Sequence, residues 1–222
     1  QQDWTWPEWN LSSTAFNSHT QFGESYVKTK LYYNTFDNLL STYDDSRHAT
    51  QSTSRAFDSY YDDFAYGFSV EAGTELIPMN TLKGALHYRR DAHRRWQDNS
   101  PDSPSASTTP FQRRTEDTWS VALENTFHAT DTLDFVAGIS YDWYETQEAE
   151  FFDSGVFGEY PLFDNDAFNW QTAAIWRPTD DTEIYAGISA RTRFPNLFER
   201  YSTRFGAAVP NPDLKPERAI NY

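Results

Sequence analysis

Cysteine is missing from this 222-residue sequence, and long apolar runs are missing as well. Without cysteine the chain can form no disulfide, no zinc–thiolate site and no thiol nucleophile. No segment approaches the ~18 consecutive apolar residues that mark a transmembrane helix, so a helical membrane protein is excluded. Basic residues are also scarce, with 18 Lys and Arg against 33 Asp and Glu and a formal net charge of -15. A nucleic-acid backbone requires a basic surface, so this balance argues against nucleic acid as a partner.

Catalytic motifs are missing too. The sequence has no Gly-rich phosphate loop, no helix with paired His residues and no Gly-x-Ser-x-Gly turn. Carboxylates are plentiful, but no particular pair stands out as an acid and base. We therefore expect a protein that is not an enzyme and needs no cofactor.

The first ten residues, QQDWTWPEWN, lack the basic start, the apolar segment and the small-residue cleavage site of a signal peptide. An exported protein must have lost such a segment, or these residues start within a longer protein.

Aromatic residues are what the sequence has in abundance. They make up 18% of the chain, although only 38% of all residues are hydrophobic. A soluble core is normally built from Leu, Ile and Val. A chain that is polar on average but rich in aromatic residues is typical of a transmembrane barrel, because only the outer face of a barrel meets lipid and its rims carry Trp and Tyr.

The aromatic residues alternate with polar ones, as they do in strands. The clearest case places Phe64, Phe68 and Val70 on one face, and Gly67 and Glu71 on the other. In the first strand the alternation is weak, and Trp9 and Leu11 are expected on the apolar face. The pattern predicts eight strands and the start of a ninth, with strands near residues 9–22, 26–37, 64–75, 82–89, 119–127, 133–143, 168–176 and 184–191.

Short and long connections alternate between these strands. The short ones lie at Gly23, Pro78, Asp131 and Asp180. The long ones cover residues 39–60, 97–110, 145–166 and 194–215. Outer-membrane barrels have short periplasmic turns and long external loops, whereas a soluble sandwich has no reason to keep this order. The fold class predicted is all-β, an antiparallel up-and-down transmembrane β-barrel segment.

Several stretches resemble a known family. The segments RTRFPNLFERYSTRFG and NPDLKPE, together with YVKTKLYYNTFDNLL, STYDD and NTLKGALHYRRD, resemble the barrel portion of TonB-dependent outer-membrane receptors. The resemblance covers nearly the whole chain. It implies that residues 1–222 are the later half of a larger barrel of 22 strands, with the plug domain and the C-terminal strands outside them.

The resemblance also implies a function and a location. Receptors of this family lie in the outer membrane of Gram-negative bacteria, in contact with its lipid, and import a scarce ligand with energy relayed by TonB. The ligand expected is a ferric siderophore, with haem or a cobalamin as substitutes. Two alternatives stay open, a passive porin-like channel and a soluble β-rich module that binds carbohydrate through its aromatic residues.

An open set of nine strands would have two unpaired edges, and each unpaired backbone group in lipid costs several kcal/mol. We therefore expect these residues to belong to a longer chain or to associate edge to edge with a second copy.

Two groups of side chains are candidates for binding the ligand. A basic group beside two rings suits an anionic ferric chelate, and its alternative reading is a set of local ion pairs. It consists of His87, Arg89, Arg90, His93, Arg94, Arg95, Trp96 and Phe111. A second group, Tyr43, Asp44, Asp45 and His48, offers metal-binding atoms, but its spacing matches no tight metal site and ordinary loop polarity is the alternative.

The family-like signature is expected to be structural, with Glu199 paired to an Arg and with Phe194 and Tyr201 packing the loop over the barrel rim. Its residues are Arg191, Arg193, Phe194, Pro195, Glu199, Arg200, Tyr201, Arg204, Asn211, Pro212, Leu214, Pro216 and Glu217.

Overall fold

A computed structural model describes residues 3–202 and 208–222 of the chain, and most of them lie in antiparallel strands. The strands are β1 (Asp3–Phe22), β2 (Ser25–Tyr43), β3 (Phe57–Thr74), β4 (Asn80–Asn99), β5 (Ser107–Thr108), β6 (Gln112–Thr130), β7 (Leu133–Asp153), β8 (Val156–Glu159), β9 (Asp164–Thr179), β10 (Thr182–Arg193) and β11 (Glu217–Asn221). One short helix, α1 (Leu197–Tyr201), follows β10. No helix in the described part of the chain is long and apolar enough to cross a membrane.

Nine of these strands form one sheet in the order β1-β2-β3-β4-β6-β7-β9-β10-β11, so each strand pairs with its neighbours along the chain. The short strands β5 and β8 pair with the ends of β4 and β7. Among the described residues β1 and β11 are the two edges of the sheet and do not pair with each other, so the barrel is open. The up-and-down order confirms the fold class predicted from the sequence.

The strands are longer than the sequence predicted. Residues 39–60 were expected to be a loop, but β2 continues to Tyr43 and β3 begins at Phe57. Residues 145–166 were also expected to be a loop, yet β7 continues to Asp153 and forms a hairpin with β8. The prediction failed there because both faces of a strand beyond the membrane are wet. The apolar alternation then disappears, while the backbone pairing continues.

The sheet has two chemically different faces. The face that carries most of the rings is called the outer face, and the opposite one the inner face. On the outer face Phe68, Tyr88, Trp119 and Trp143 are directly paired across four neighbouring strands. Their rings form a continuous row, with centroid distances of 5.7, 4.4 and 6.0 Å. We call this row the ring belt.

The outer face on the short-turn side of the ring belt is apolar and uncovered. Ile139, Phe135 and Trp176 are 46–49% exposed there. The inner face at the same level is polar. Ser140 donates a hydrogen bond to Asp142, which accepts a second one from a neighbouring side chain, and Gln171 donates to Glu124. This division is the one expected of a barrel wall between lipid and a wet interior.

Strand β1 departs from the predicted faces. Trp9 pairs with Asn38 and Leu11 pairs with Phe36, and both positions belong to the inner face. Phe16, which pairs with Leu31, is on the outer face instead. The expectation that Trp9 and Leu11 face the apolar side was therefore wrong, because polar residues occupy much of both faces of β1 and the sequence pattern gave little information on its register.

Tyrosine rings cover glycines on the inner face. Tyr32 pairs directly with Gly67, and Tyr26 pairs with Gly73. A methyl group added at Gly67 would meet the Tyr32 side chain and the backbone oxygen of Tyr88, so a residue without a side chain is required at this close approach.

Candidate ligand-binding surface

The predicted basic group does not form one cluster. Alternation along β4 sends Arg90, Arg94 and Trp96 to the outer face, and Arg89 and Arg95 to the inner face. His87 and His93 also lie on the inner face, with Arg89 and Arg95. The expectation that they form one cluster was wrong, because closeness in sequence along a strand does not place side chains on one face, and their role in ligand binding stays a prediction.

Most of these basic side chains are paired with acids. Arg90 donates two hydrogen bonds to Asp117, and Arg89 binds Asp91 in the same way. Arg94 lies 3.3 Å from a carboxylate oxygen of Asp62. His93 Nδ1 is 2.8 Å from Asp63 Oδ1. Local ion pairing was the alternative interpretation of this group. It describes the contacts of four of its residues, Arg89, Arg90, His93 and Arg94.

Arg95 is different from its neighbours. Its guanidinium Nε donates to Gln112 Oε1 at 3.2 Å, and among the described residues no carboxylate lies within ion-pair distance of it. Because it faces inward at the end of the sheet with the long connections, it offers a positive charge to the barrel interior.

Trp96 has ring partners within the protein, and they lie on the outer side of the sheet. Its ring stacks on Tyr60 with centroids 5.0 Å apart, and Phe111 follows at 5.7 Å. These rings therefore do not share a surface with Arg95.

The second predicted group holds its own loop together. Tyr43 and His48 stack at 4.8 Å, while Asp44 accepts hydrogen bonds from the backbone N–H of Ser52 and Thr53 at 2.9 Å each. These two backbone donors lower the pKa of the Asp44 carboxyl well below its usual range. The carboxylate of Asp44 is thus occupied by the loop that follows β2. In the described residues no group of three or more His, Cys, Asp or Glu is placed to hold a metal ion.

An aromatic group that the sequence analysis missed lies on the inner face. Trp6 contacts Trp9 at 5.2 Å and Tyr61 at 6.4 Å, and Trp9 contacts Phe36 at 4.7 Å. Trp4 extends the group at 6.4 Å from Trp6. We call Trp4, Trp6, Trp9, Phe36 and Tyr61 the inner aromatic patch. A bulge between Thr5 and Glu8 is the feature of β1 that brings the tryptophans together.

The inner aromatic patch is open to solvent and lies beside ionisable groups. Its tryptophans are 39–61% exposed. The Tyr61 ring is 5.7 Å from the His93 ring, and Arg95 pairs with Tyr61 across β3 and β4. Such a surface can stack on a planar or apolar group and attract negative charge beside it. The Trp-rich start of the sequence was the available signal, but Trp4 and Trp6 lie before the first predicted strand and were considered only in relation to a signal peptide.

The loop after β10 folds back over the same end of the inner face. Asn196 caps α1, accepting from the Glu199 backbone N–H while its own N–H donates to the Glu199 carboxylate at 3.0 Å. Arg193 pairs with Glu199 at 2.9 Å and with Glu217 at 3.2 Å, so the predicted pair of Glu199 with an Arg is present. The Asn196 N–H and then the Arg193 guanidinium lower the pKa of the Glu199 carboxyl.

Buried residues of α1 fix the loop to the sheet. Arg200 is fully buried between the rings of Tyr144 and Phe163, at 4.2 and 4.1 Å from their centroids. Tyr201 is also fully buried, and its carbonyl oxygen accepts a hydrogen bond of 3.0 Å from Arg114. The Phe194 ring stacks on Tyr144 at 5.7 Å. Phe194 and Tyr201 therefore pack the loop against the sheet.

The remaining signature residues shape the return of the chain. The backbone N–H of Asn211 donates to the Arg200 carbonyl at 2.7 Å, and that of Leu214 donates to the Asn211 carbonyl at 3.2 Å. Arg191 binds the Gln171 side chain on the inner face. Pro195, Pro212 and Pro216 lie outside the strands. Arg204 lies outside the described residues.

Comparisons with known proteins agree with this architecture. A family model described as TonB dependent receptor-like, beta-barrel matches residues 1–222. No curated protein matches the sequence. The solved structure titled "Copper transporter OprC" is similar, with a TM-score of 0.76 and 16% sequence identity over 98% of this chain and 36% of that one. At this identity the likeness shows the fold alone, and the chain spans little more than a third of that protein.

Proposed function

The chain belongs to the TonB-dependent receptor family, and from this premise we propose that the whole protein imports a scarce ligand with energy relayed by TonB. The family places the chain in the outer membrane of a Gram-negative bacterium, as the resemblance predicted. The end of the sheet with the long connections is then the outer end, where a ligand arrives. The substrate that we propose is a ferric siderophore.

The inner aromatic patch is the observation that carries this proposal. Exposed rings on the wet side of a barrel wall are not explained by contact with lipid. Trp6, Trp9 and Tyr61 offer faces on which a catecholate or another planar group stacks, and Arg95 supplies positive charge next to them. A ferric chelate of this kind combines both features, a negative charge and flat ligand groups around the metal.

A bare metal ion is the competing substrate. The similar structure named above is titled as a copper transporter, but it shares only the fold with this chain. Haem and cobalamin also offer large planar surfaces that can stack on aromatic rings, so the proposal keeps them as substitutes for a ferric siderophore.

Binding assays on the full-length receptor test the substrate. Ferric catecholate and hydroxamate siderophores, haem, cobalamin and copper(II) are compared on wild type and on a variant with Trp9→Ala and Arg95→Gln. We expect a ferric chelate to bind and the double variant to weaken it by about tenfold or more. Tyr185→Ala is the matched control, because Tyr185 is an exposed inner-face ring near the short turns. Binding of copper(II) alone, unaffected by the double variant, would overturn the siderophore assignment.

Energy coupling is a separate part of the proposal. We expect uptake to require TonB and a plug domain outside residues 1–222. Uptake that continues in a strain without TonB would indicate a passive porin-like channel instead. A protein that stays monodisperse in buffer without detergent would support the soluble carbohydrate-binding alternative.

The pairing of the two open edges of the sheet is also a proposal. We propose that β1 and β11 pair with further strands of a 22-stranded barrel, because unpaired backbone groups at lipid depth are costly. For residues 1–222 produced alone, association edge to edge with a second copy is the alternative.

A further inference from the structure

A carboxyl group is enclosed beneath the loop after β10. Glu116 on β6 is 6% exposed and lies on the inner face, where it is directly paired with Asp91 of β4 and Thr146 of β7. It accepts a hydrogen bond from the Tyr144 hydroxyl. Among the described residues no arginine, lysine or histidine lies within ion-pair distance of it. An ionised carboxylate that is buried without such a partner is costly.

The loop supplies the cover over Glu116. Arg200 lies on the Tyr144 ring, and its Nη1 atom donates to the Thr146 hydroxyl at 3.4 Å. Phe194 stacks on the same ring at 5.7 Å. Two β7 residues beside Glu116 are therefore held under loop residues. Opening of the loop exposes these two residues and lets water reach the carboxyl.

Charged and titratable groups surround Glu116 on several elements. They are Arg89 and Asp91 on β4, Arg114 on β6, Tyr144 on β7 and Arg200 on α1. Asp91 disfavours a second negative charge directly opposite it, although Arg89 binds Asp91 through two hydrogen bonds. The two cations Arg89 and Arg200 favour the ionised carboxylate. The neighbours of Glu116 thus act in opposite directions.

Burial outweighs these opposing effects. The sheet carries Arg90, Asp117 and Glu145 on its outer face next to the level of Glu116, so this level is outside the hydrocarbon. Burial raises the pKa of the Glu116 carboxyl to about 7, although the Tyr144 hydroxyl bond lowers it. A glutamate in water has a pKa of about 4.3. The enclosed carboxyl therefore keeps its proton in mild acid.

We propose that closure of the loop after β10 depends on protonation of Glu116, so that the loop is held closed in mild acid and opens more often as this carboxyl ionises. Closing moves the carboxyl from water into an enclosed site that favours its neutral form, so closing takes up a proton. Because the closed loop raises the pKa, its extra stability is fully present below about pH 4.3 and is lost as the pH rises to about 7. The proposal does not depend on which ligand the receptor imports.

Chymotrypsin cleavage after Phe198 and Tyr201 in the full-length receptor in detergent measures how often the loop opens. Each rate is divided by that of a free peptide that spans α1 at the same pH, which removes the pH dependence of the protease. In wild type the corrected rate should rise about tenfold between pH 6 and pH 8. Glu116→Gln keeps the shape of the protonated side chain. Its corrected rate should be lower than that of wild type and equal at both pH values.

Glu148→Gln is the matched control. Glu148 is a partly buried carboxylate on β7 that accepts from the Thr115 hydroxyl at 2.7 Å. This variant should keep the pH dependence of wild type. A wild-type rate that stays level between pH 6 and pH 8, or a rise in Glu116→Gln equal to that of the control, would overturn the proposal.

Tyr144→Phe takes the place of Glu116→Gln if that variant does not fold. It keeps the ring under Arg200 but removes the hydroxyl that favours the ionised form of Glu116. The rise in cleavage should then move to higher pH. A rise that stays at the wild-type pH would show that Glu116 is not the group that titrates.

Discussion

The guanidinium carbon of Arg200 lies 4.2 Å from the centre of the Tyr144 ring, and this contact joins the loop after β10 to the inner face of the sheet. The same guanidinium carbon lies 4.1 Å from the centre of the Phe163 ring. Both Arg200 and Tyr144 are buried, so water does not weaken the interaction. The loop therefore depends on a residue that is charged and fully enclosed.

Removing this cation should release the loop without unfolding the barrel. We expect Arg200→Ala to destabilise the closed loop by about 2 kcal/mol, because a desolvated cation–π contact is lost. Chymotrypsin cleavage after Phe198 and Tyr201 should accelerate in the variant. Arg177→Ala, which changes an ion-paired arginine near the short turns, is the control and should leave the cleavage rate unchanged. Equal cleavage of the two variants would show that Arg200 does not anchor the loop.

The exposed pair of Arg193 and Glu199 should contribute less. A double-mutant cycle with Arg193→Ala and Glu199→Ala is expected to give a coupling energy of about 0.5–1 kcal/mol, the range for exposed ion pairs. Glu217 lies 3.2 Å from the same guanidinium, and Glu199 also accepts from the Asn196 backbone N–H, so each single change should cost more than the coupling energy of the pair. The loop cleavage assay supplies the free energies, and fully additive losses would remove the proposed pair.

Acid should loosen the loop after β2 only at low pH. The pKa of Asp44 is lowered by the backbone N–H groups of Ser52 and Thr53. Its stabilising effect is therefore fully present above the unfolded-state pKa of about 3.9, and is lost as the pH falls through the lower, folded-state pKa. Hydrogen exchange of the Ser52 and Thr53 amides should stay slow at neutral pH in wild type.

Asp44→Asn should speed that exchange already at neutral pH, because the charged acceptor is gone. Asp45→Asn is the control, since the Asp45 carboxylate accepts from the Arg47 backbone N–H and not from Ser52 or Thr53. If both variants exchange at the wild-type rate, Asp44 does not order the loop.

Glycine at position 67 should be indispensable, unlike glycine at 84. A methyl group at 67 meets the Tyr32 side chain and the Tyr88 backbone oxygen, whereas at 84 the nearest atom is 3.9 Å away. We expect Gly67→Ala to destabilise the folded barrel by about 1–3 kcal/mol, as overpacking does, and Gly84→Ala to be nearly neutral. Urea unfolding of the full-length receptor in lipid vesicles measures both.

The assignment of the two faces can be tested at adjacent residues. Ile139 is 49% exposed on the outer face, and Ser140 lies next to it on the inner face beside Asp142. Ile139→Arg should cost about 2–4 kcal/mol if the outer face meets hydrocarbon. Ser140→Arg should change the unfolding free energy by less than about 1 kcal/mol, because it enters a wet interior next to a carboxylate. A larger loss for Ser140→Arg would reverse the faces.

Several features could be predicted because they depend only on nearby residues. The alternation in Phe64, Phe68 and Val70 is repeated every second residue, and it correctly predicted the outer face of β3. The short turns at Gly23 and Asp131 likewise lie where local turn-forming residues are found. The same reasoning failed in β1, where neither face is strongly apolar.

The amino-acid sequence by itself thus determined the strand order, the lipid-facing side of most strands and the family, because two-residue alternation and turn chemistry are local properties. Only the tertiary structure decided which distant side chains meet. It brought Trp9 to Phe36, and it folded Arg200 onto Tyr144. These contacts depend on the register between strands and on the return path of a loop, and a slip of one residue would move every side chain to the other face.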